Sequence, residues 1–361
     1  MNVHESDKIT ALLELDGFAR GESETVADIV VFNTCTVRNT AEDKIISHIG
    51  ALHYEKKHGR NVIIGVVGCL SQRDGVAKRL AHKFPLVDII LGTHNIGEIG
   101  FAVKNAQAAK RTIDVAPKRR ESDFDTVIPA HLRKDNNHFI NITYGCENYC
   151  TYCIVPFVRG ALICRPSKTI IAEFKTLTDS NASGVVFLLG QNVNSYVCPD
   201  TGTNFVGLLD KLCDMTTNQV FINFLSSHPR DFSDELVDFI ASHPQIERNI
   251  HLPLQSGSDK ILERMNRGYT SGWYAKKVAN LRAKVPDIRI TTDIICGFPG
   301  ETDEDFADTV AFVKQIGFNS AFIFPYSRRS GTAADKMPNQ IDLKTKKART
   351  TQLQNIFRRK T

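Results

Sequence analysis

The feature that most restricts the fold is a regular alternation of strand-like and helix-like segments in the second half of the chain. Six apolar runs have strand character: residues 139–143, 185–189, 220–225, 248–252, 288–295 and 320–324. Amphipathic stretches lie between them, for example at residues 234–242, 258–265, 274–284 and 302–316. Strands separated by helices form a parallel sheet, because each helix returns the chain to the start of the next strand. Six such units predict a partial (β/α)6 barrel, related to the eight-stranded barrel.

A smaller α/β pattern precedes this one. Residues 29–32 and 62–67 have the composition of buried strands, and the amphipathic stretch 40–57 between them is typical of a crossover helix. The sequence therefore predicts an α/β protein with a Rossmann-like parallel domain at residues 1–107. A polar linker is expected at 108–137, the partial barrel at 138–340 and a basic helix at 341–361.

Three cysteines follow the first strand of the predicted barrel at a spacing that suits an inorganic centre. Cys146, Cys150 and Cys153, called the cysteine triple below, are separated by three and by two residues. Three thiolates can hold three irons of a cubane 4Fe-4S cluster, which leaves the fourth iron free to bind a small molecule. Structural zinc normally has four ligands, and a disulfide would leave one of the three cysteines over. Both alternatives fit less well than a cluster, but the spacing alone leaves them open.

Two further cysteines come directly after the predicted strands of the N-terminal domain. Cys35 follows the first strand and Cys69 follows the second. The carboxyl ends of parallel strands are where ligands collect in open α/β sheets, so the two thiols could converge on one site. A cysteine at a strand end is nevertheless more often a packing residue than a ligand. The remaining cysteines have no partner at ligand spacing and are expected to be packing or surface thiols: Cys164, Cys198, Cys213 and Cys296.

Composition is compatible with a soluble enzyme. Hydrophobic residues make up 42% of the 361 residues, and no apolar segment is long enough to cross a bilayer. The N-terminal residues lack the apolar core of a secretory signal and the arginine-rich character of a transit peptide, so a cytoplasmic protein is expected. The net charge of +5 permits nucleic-acid binding without predicting it.

Seven segments together resemble the radical S-adenosylmethionine methylthiotransferases, in particular the MiaB type that modifies tRNA adenosine. They are residues 2–6, 33–35, 68–69, 144–153, 188–194, 251–258 and 297–302. The run Gly190-Gln191-Asn192-Val193-Asn194 favours the isopentenyladenosine enzymes over relatives that act on threonylcarbamoyladenosine or on a ribosomal protein. The resemblance covers nearly the whole chain.

The resemblance implies a radical reaction with two 4Fe-4S clusters. The open iron of the cluster at the cysteine triple would bind the amino and carboxylate groups of S-adenosylmethionine. One electron would cleave this cofactor, and the deoxyadenosyl radical would take a hydrogen from C2 of N6-isopentenyladenosine at position 37, beside the anticodon. Cys35 and Cys69 match two ligands of the second cluster, which supplies the sulfur, and the methyl group comes from another S-adenosylmethionine. The product is a 2-methylthio-N6-isopentenyladenosine.

The resemblance also suggests further binding residues and partners. Gly190 and Gln191 lie where such barrels contact S-adenosylmethionine, although a tight turn with a capping amide explains them equally well. His251 and Gln255 could face the barrel mouth, but a hydrogen-bonded core histidine is the commoner case. The expected partners are the anticodon stem-loop of a tRNA and an electron donor such as flavodoxin or ferredoxin. A monomer without membrane contact is expected.

The chain departs from the family pattern at three places. A third cysteine of the second cluster normally lies upstream of residues 2–6 and is not in this sequence. In the segment 160–166, apolar residues follow Gly160 where relatives carry an arginine and a glutamate, and Cys164 stands where they carry a serine before the arginine. The small β-barrel RNA-binding domain expected after the basic helix is also not in the sequence. The alternative is therefore a truncated or degenerate, non-catalytic homologue that binds tRNA or a partner. A radical enzyme with a protein substrate is a third interpretation, which the run at 190–194 argues against.

Overall fold

The structure is a computed structural model that describes residues 2–35, 39–117, 136–179, 183–216 and 219–358. The chain forms two compact units. The N-terminal unit contains Met1–Asp135 and Phe157–Gly160, and the C-terminal unit contains Asn136–Pro156 and Ala161–Thr361. None of the helices in these described ranges is both long and apolar enough to cross a membrane.

The described part of the N-terminal unit alternates strands and helices. In chain order the elements are α1 (Asn2–Leu15), β1 (Ile29–Thr34), α2 (Asn39–Lys57), β2 (Ile63–Gly68), α3 (Cys69–Gln72), α4 (Val76–Lys83), β3 (Ile89–Leu91), α5 (Ile99–Gln107) and β4 (Thr112–Asp114). The strands form a parallel sheet in the order β1-β2-β3-β4. The two predicted strands and the helix between them are present.

Helices cover both faces of this sheet, so its central strands are apolar on both sides. Ile64 and Val66 of β2 pack against Leu80 of α4 on one face. On the other face, Val67 and residues of β3 pack with α1 and α5. The strand β4 lies within the stretch 108–137 that the sequence predicts as a linker. Residues 118–135 of that stretch lie outside the described residues.

The C-terminal unit continues the alternation over more elements, together with α6, whose last residues belong to the N-terminal unit. In chain order they are β5 (Asn137–Asn141), β6 (Thr143–Tyr144), α6 (Val155–Arg159), β7 (Ile163–Cys164), α7 (Ser167–Asp179), β8 (Gly184–Leu189), α8 (Phe205–Cys213), β9 (Val220–Phe224), α9 (Asp234–Ser242), β10 (Asn249–His251), α10 (Asp259–Arg264), α11 (Ser271–Lys284), β11 (Arg289–Cys296), α12 (Asp303–Ile316), β12 (Ser320–Pro325), α13 (Ala333–Lys336) and α14 (Leu343–Arg358). All six strands predicted for the barrel are among them.

The six barrel strands of this unit form two parallel sheets and follow one another in order. One parallel sheet has the order β5-β8-β9 and another has the order β10-β11-β12. A hydrogen bond from Asn223 Nδ2 of β9 to the carbonyl oxygen of Asn249 in β10 (3.2 Å) connects the two sheets. The predicted fold class, an α/β protein with a partial (β/α)6 barrel, is confirmed.

The two faces of the barrel sheet differ in burial. In β11, residues 290, 292, 294 and 296 are buried on the side that packs against the helices, whereas Arg289, Thr291, Asp293 and Ile295 are more exposed. The helix side forms one large apolar core that includes Phe174 of α7. The other face of the sheet is less covered by side chains. A ligand can bind on this face and at the carboxyl ends of the strands.

A buried ion pair fastens the last described helix to the barrel. Arg349 of α14 donates to Glu301 Oε2 (2.6 Å), and the two residues are only 7% and 3% exposed. We expect Arg349→Ala to lower the free energy of unfolding by about 3–5 kcal/mol, because it leaves the Glu301 carboxylate buried without its partner. Urea denaturation at fixed pH measures this loss.

The loss of stability in Arg349→Ala should depend on pH. Burial already raises the pKa of Glu301, and the hydrogen bonds from Gly297 and Arg349 oppose that rise. Without Arg349, the carboxyl group can avoid its buried charge by taking up a proton, so the loss should be smaller at pH 5 than at pH 8. The control is Lys284→Ala, which breaks a surface pair with Asp238 and should cost less than about 1 kcal/mol. Equal losses in the two variants would contradict the expectation.

Candidate functional site

The cysteine triple lies in the loop between β6 and α6, at the carboxyl end of the first barrel strand. The loop begins at Gly145, whose φ of +72° lies in the left-handed region that favours glycine. Cys146 is buried, Cys150 and Cys153 are partly buried, and all three are free thiols. The sequence prediction that the triple lies at the barrel mouth therefore agrees with the chain path.

Hydrogen bonds to the segment after α10 hold this loop in place. The backbone N–H of Thr151 donates to the carbonyl oxygen of Met265 (3.0 Å), and Thr151 Oγ1 donates to that of Arg264 (2.8 Å). Asn266 Nδ2 donates to the carbonyl oxygens of Asn148 and Tyr149, both at 3.2 Å. The backbone that carries the cysteines is therefore fixed by contacts with residues more than a hundred positions away in sequence.

The electrostatics of the triple favour a bound cation. Burial raises the pKa of Cys146, and it raises the pKa of Cys153 to about 12. The neighbouring Cys150 raises both values further, because adjacent thiolates repel one another. A positively charged iron-sulfur core would reverse this balance and stabilise the thiolate forms that bind it. The donor set of three reduced cysteines thus fits a cluster.

Within the described residues, no group of three His, Cys, Asp or Glu side chains is placed to hold a single metal ion. A cubane cluster needs a different arrangement, because each of its three cysteines binds a different iron. In a cluster site, the three sulfur atoms would therefore surround a group several atoms wide rather than one point.

Gly190 directly follows β8 and lies against the chain that leads into the triple. A Cβ atom on Gly190 would lie 2.0 Å from Thr143 Oγ1, so no larger residue fits. Gln191 is partly buried beside it. Gly190 and Gln191, the two residues predicted to bind the cofactor, therefore lie next to β6, the strand that leads into the cysteine loop. The close approach of Gly190 to Thr143 explains why this residue is a glycine.

Buried polar atoms without a hydrogen-bond partner among the described residues collect where the barrel strands end. They are Asn141 Oδ1 and Thr143 Oγ1 near β5, Asn192 Oδ1 and Asn194 Nδ2 beyond β8, Ser227 Oγ and both ring nitrogens of His228 beyond β9, and Tyr326 Oη and Ser327 Oγ beyond β12. Buried polar groups in proteins are normally paired. Donors and acceptors of this kind fit a small ligand with amino, carboxylate and hydroxyl groups, as S-adenosylmethionine has.

His228 and Asp231 contribute to this mouth although the sequence analysis did not single them out. Burial lowers the pKa of His228 to about 3, and the charge of Arg267 adds to this effect. The imidazole is therefore neutral at physiological pH and has one donor and one acceptor nitrogen. Asp231 accepts a hydrogen bond from Asn192 Nδ2 (2.6 Å), and Asn194 Oδ1 accepts one from the backbone N–H of His228 (3.1 Å). These bonds join the loops after β8 and β9.

His251 and Gln255 occupy different environments. His251 ends β10 on the open face of the sheet, where Nδ1 lies 2.9 Å from Thr291 Oγ1 and Nε2 lies 3.2 Å from Asp293 Oδ2. Gln255 is buried with a left-handed φ of +73°, and its backbone bonds to Asp293 and Ile295. His251 is thus a partly exposed, hydrogen-bonded histidine. Gln255 is a buried residue whose backbone hydrogen bonds hold the chain beside β11.

The altered segment 160–166 forms part of the same framework. Its strand β7 pairs antiparallel with β6, which leads into the cysteine triple. Arg165 is buried with its partner Glu173, and its carbonyl oxygen accepts a hydrogen bond from Tyr196 Oη (2.8 Å). Cys164 is partly buried and receives a hydrogen bond from the Val197 N–H (3.4 Å). Residues 163–165 of the segment are therefore held by strand pairing, an ion pair and hydrogen bonds.

The N-terminal unit brings Cys35 and Cys69 to neighbouring strand ends. Thr34 of β1 is paired in register with Gly68 of β2, and each cysteine is the next residue. Gly68 has a φ of +100°, and a Cβ atom on it would lie 2.7 Å from the Thr34 carbonyl oxygen. Cys35 is close enough to Cys69 to raise its pKa. The convergence that the strand pattern suggests is therefore present in the geometry.

Arg159 and Glu5 lie beside this pair, and the sequence analysis missed Arg159. Burial raises the pKa of Cys69, whereas Arg159, which hydrogen-bonds to the thiol, lowers it. Arg159 Nη1 also lies 3.7 Å from Glu5 Oε1. A guanidinium group beside a thiol favours the thiolate, which is the form that binds metal. The sequence gives only a weak indication of this role for Arg159, namely its position six residues after Cys153.

Comparisons with known proteins agree with this fold. The Radical SAM superfamily model matches residues 140–313, and the model of Uncharacterized protein family UPF0004 matches residues 1–92. The radical S-adenosylmethionine methyltransferase TsrM from Kitasatospora setae superposes with a TM-score of 0.65 at 14% identity, over 92% of this chain and 71% of that chain. The cobalamin-dependent S-adenosylmethionine radical enzyme OxsB gives a TM-score of 0.57 at 13% identity, over 98% and 52%. The family model therefore marks a radical S-adenosylmethionine domain at residues 140–313, and the solved structures share its fold.

Curated relatives narrow this class. A protein of Caldicellulosiruptor saccharolyticus is 45% identical over 347 residues, which are 94% of this chain and 72% of the relative. Proteins of Fusobacterium nucleatum (41%, over 99% of this chain and 81% of the relative) and Carboxydothermus hydrogenoformans (40%, over 98% and 80%) are also similar. All three are named tRNA-2-methylthio-N(6)-dimethylallyladenosine synthase. The chain belongs to this family, and the predicted resemblance is confirmed.

Proposed function

We propose that this chain methylthiolates tRNA, converting N6-isopentenyladenosine at position 37 to its 2-methylthio derivative. The observation that carries the proposal is membership of a family whose relatives, at 40–45% identity over nearly the whole chain, bear the name of that synthase. The cysteine triple at the carboxyl end of the first barrel strand supports it, because an open iron site is needed for radical chemistry. The reaction class is a transferase.

The family implies a 4Fe-4S cluster and S-adenosylmethionine, and the residues at the barrel mouth fit both. Cys146, Cys150 and Cys153 would hold the cluster, and the polar atoms beyond β8, β9 and β12 would bind the cofactor together with Gly190 and Gln191. Bound there, the two groups supply a radical able to take hydrogen from an aromatic carbon, for which no acid or base is strong enough.

The protein's own residues orient and enclose the reactants. The contact between Gly190 and Thr143 lets backbone approach the site without an intervening side chain. The neutral imidazole of His228 can donate one hydrogen bond and accept another, and it does not place a positive charge near the cationic sulfonium of S-adenosylmethionine. The bond between Asn192 and Asp231 fixes the loops around the ligand.

A second 4Fe-4S cluster at Cys35 and Cys69 is proposed as the source of sulfur. The register of β1 with β2 and the charge of Arg159 beside Cys69 support it. Two thiolates are fewer than a cubane normally uses, so at least one further ligand has to come from elsewhere. The proposed role is to hold a sulfur-bearing cluster, with Arg159 favouring the Cys69 thiolate.

The proposed partners follow from the reaction. The substrate is the anticodon stem-loop of a tRNA, and exposed Lys344 and Lys347 of α14 are suited to phosphate contacts. A low-potential electron donor such as flavodoxin or ferredoxin would reduce the cluster. We propose that the protein acts as a cytoplasmic monomer.

A reconstituted assay tests this function. The protein, reconstituted anaerobically with iron and sulfide and supplied with S-adenosylmethionine and dithionite, should form 2-methylthio-N6-isopentenyladenosine on tRNA that carries the isopentenyl group. Mass spectrometry of the digested nucleosides measures the product. The control is the same tRNA without the isopentenyl group, which should not react.

Two other results would favour the competing functions. Binding of tRNA with 5′-deoxyadenosine formation but no modified nucleoside would support a non-catalytic homologue. Methylthiolation of a peptide but not of tRNA would indicate a protein substrate. Either result would overturn the proposed function.

A further inference from the structure

We propose that Arg267 is a positioning residue that makes the cluster at the cysteine triple easier to reduce, by donating a hydrogen bond to Cys150 Sγ. The proposal rests on the part of the proposed function that places a 4Fe-4S cluster at the triple. It does not depend on the tRNA substrate or on the second cluster. The sequence pattern gives no signal for this residue beyond its place in the turn after α10.

The guanidinium group of Arg267 is buried and held at several points. Its Nη1 atom lies 3.3 Å from Cys150 Sγ and 3.4 Å from Tyr152 Oη. Nη2 donates to the carbonyl oxygen of Pro253 (2.9 Å), and Nε donates to Tyr269 Oη (2.9 Å). The residue is only 3% exposed. With Nη2 and Nε bonded elsewhere, the plane of the guanidinium is fixed and Nη1 is directed at the sulfur.

Among the described residues, the charge of Arg267 has no carboxylate counter-ion. Its side-chain partners there are two tyrosine hydroxyls and a thiol. Tyrosine hydroxyls are neutral at physiological pH, so they do not balance this charge. An arginine is charged at any accessible pH, and an uncompensated buried charge is costly. The thiolates of a bound cluster would supply the missing negative charge.

This arrangement affects the reduced cluster more than the oxidised one. Reduction adds one electron, taken from an external one-electron reductant, and makes or breaks no bond. A nearby cation and an N–H···S hydrogen bond stabilise the more negative state, and hydrogen bonds to the sulfurs are one determinant of cluster potentials. Arg267 therefore shifts the reduction equilibrium toward the reduced form.

The test is a redox titration of the reconstituted cluster without S-adenosylmethionine or tRNA. Arg267→Gln removes the charge and should shift the one-electron reduction equilibrium at least tenfold toward the oxidised cluster, which corresponds to about 59 mV. Dithionite is the reductant, and electron paramagnetic resonance of the reduced cluster is the readout. Arg267→Lys keeps the charge but lacks the planar fork, so its shift should be smaller.

A matched control is Arg282→Gln. Arg282 on α11 is partly buried and donates to the carbonyl oxygens of Ile316 (2.6 Å) and Gly317 (3.1 Å), away from any cysteine of the triple. This variant should titrate like the unmodified protein. A wild-type midpoint in Arg267→Gln, at full iron and sulfide content, would overturn the proposal.

A milder variant decides the question if Arg267→Gln fails to assemble the cluster. Tyr269→Phe leaves the charge and the cysteines in place but removes the hydroxyl that orients Nε. It should shift the equilibrium in the same direction by a smaller factor. Unchanged midpoints in both Tyr269→Phe and Arg267→Lys would overturn the proposal, whereas failure of the tRNA assay would bear only on the proposed function.

Discussion

Replacing Cys150 with alanine is expected to abolish the cleavage of S-adenosylmethionine and to remove the iron bound at the cysteine triple. The two cysteines that remain, Cys146 and Cys153, cannot hold three irons of a cubane. Burial raises the pKa of Cys153 to about 12, so without a cluster its thiol stays protonated at neutral pH and is a poor ligand. Iron and acid-labile sulfide per chain, and 5′-deoxyadenosine formed after reduction, measure the two losses.

The control for this variant is Cys164→Ala in the same unit. Cys164 is also a partly buried free thiol, but among the described residues its sulfur hydrogen-bonds to the backbone of Ser195 (4.0 Å) and Val197 (3.4 Å). This change should keep the iron and most of the cleavage activity. A normal urea midpoint of unfolding in Cys150→Ala would show that the loss is not a loss of fold. Cleavage that survives in Cys150→Ala would contradict the assignment of the triple.

The barrel could be predicted from the sequence because an amphipathic helical segment separates each strand from the next. The prediction of residues 288–295 for one strand differs from the observed β11, Arg289–Cys296, by one residue at each end. The strand β10 is equally short but lies in the regular alternation of the barrel, whereas β3 and β4 were missed because runs of three residues show no periodicity by themselves. The antiparallel pair of β6 and β7 was missed for the same reason.

The site was predictable only where its residues are close in sequence. The cysteine triple spans eight residues, so its spacing is visible in the sequence and favours a shared cluster over the alternatives. Arg267 lies 117 positions from Cys150, and its contact with the sulfur arises only when α10 packs beside the cysteine loop. His228 and Asp231 likewise reach the mouth because β9 is the neighbour of β8. Contacts between residues this far apart in sequence arise only in the folded protein, so the spacing of residues along the chain does not reveal them.

Removing both Cys35 and Cys69 is expected to abolish methylthiolation of tRNA while leaving cleavage of S-adenosylmethionine largely intact. The pair lies at adjacent strand ends of the N-terminal unit, and without these thiols that unit loses two of the ligands proposed for its cluster. The cysteine triple lies in the C-terminal unit and keeps all three of its thiols. Iron and sulfide should therefore fall from two clusters per chain to one, with no 2-methylthio nucleoside in the digested tRNA.

The retained formation of 5′-deoxyadenosine is the internal control, because it reports the other cluster in the same sample. A second control, Cys164→Ala with Cys213→Ala, removes two thiols from the C-terminal unit and should keep both clusters. If the unmodified protein and the Cys35/Cys69 variant bind the same single cluster, the pair holds none in this chain. The chain would then have the means to cleave the cofactor but no source of sulfur, and the non-catalytic alternative would become the better account of its function.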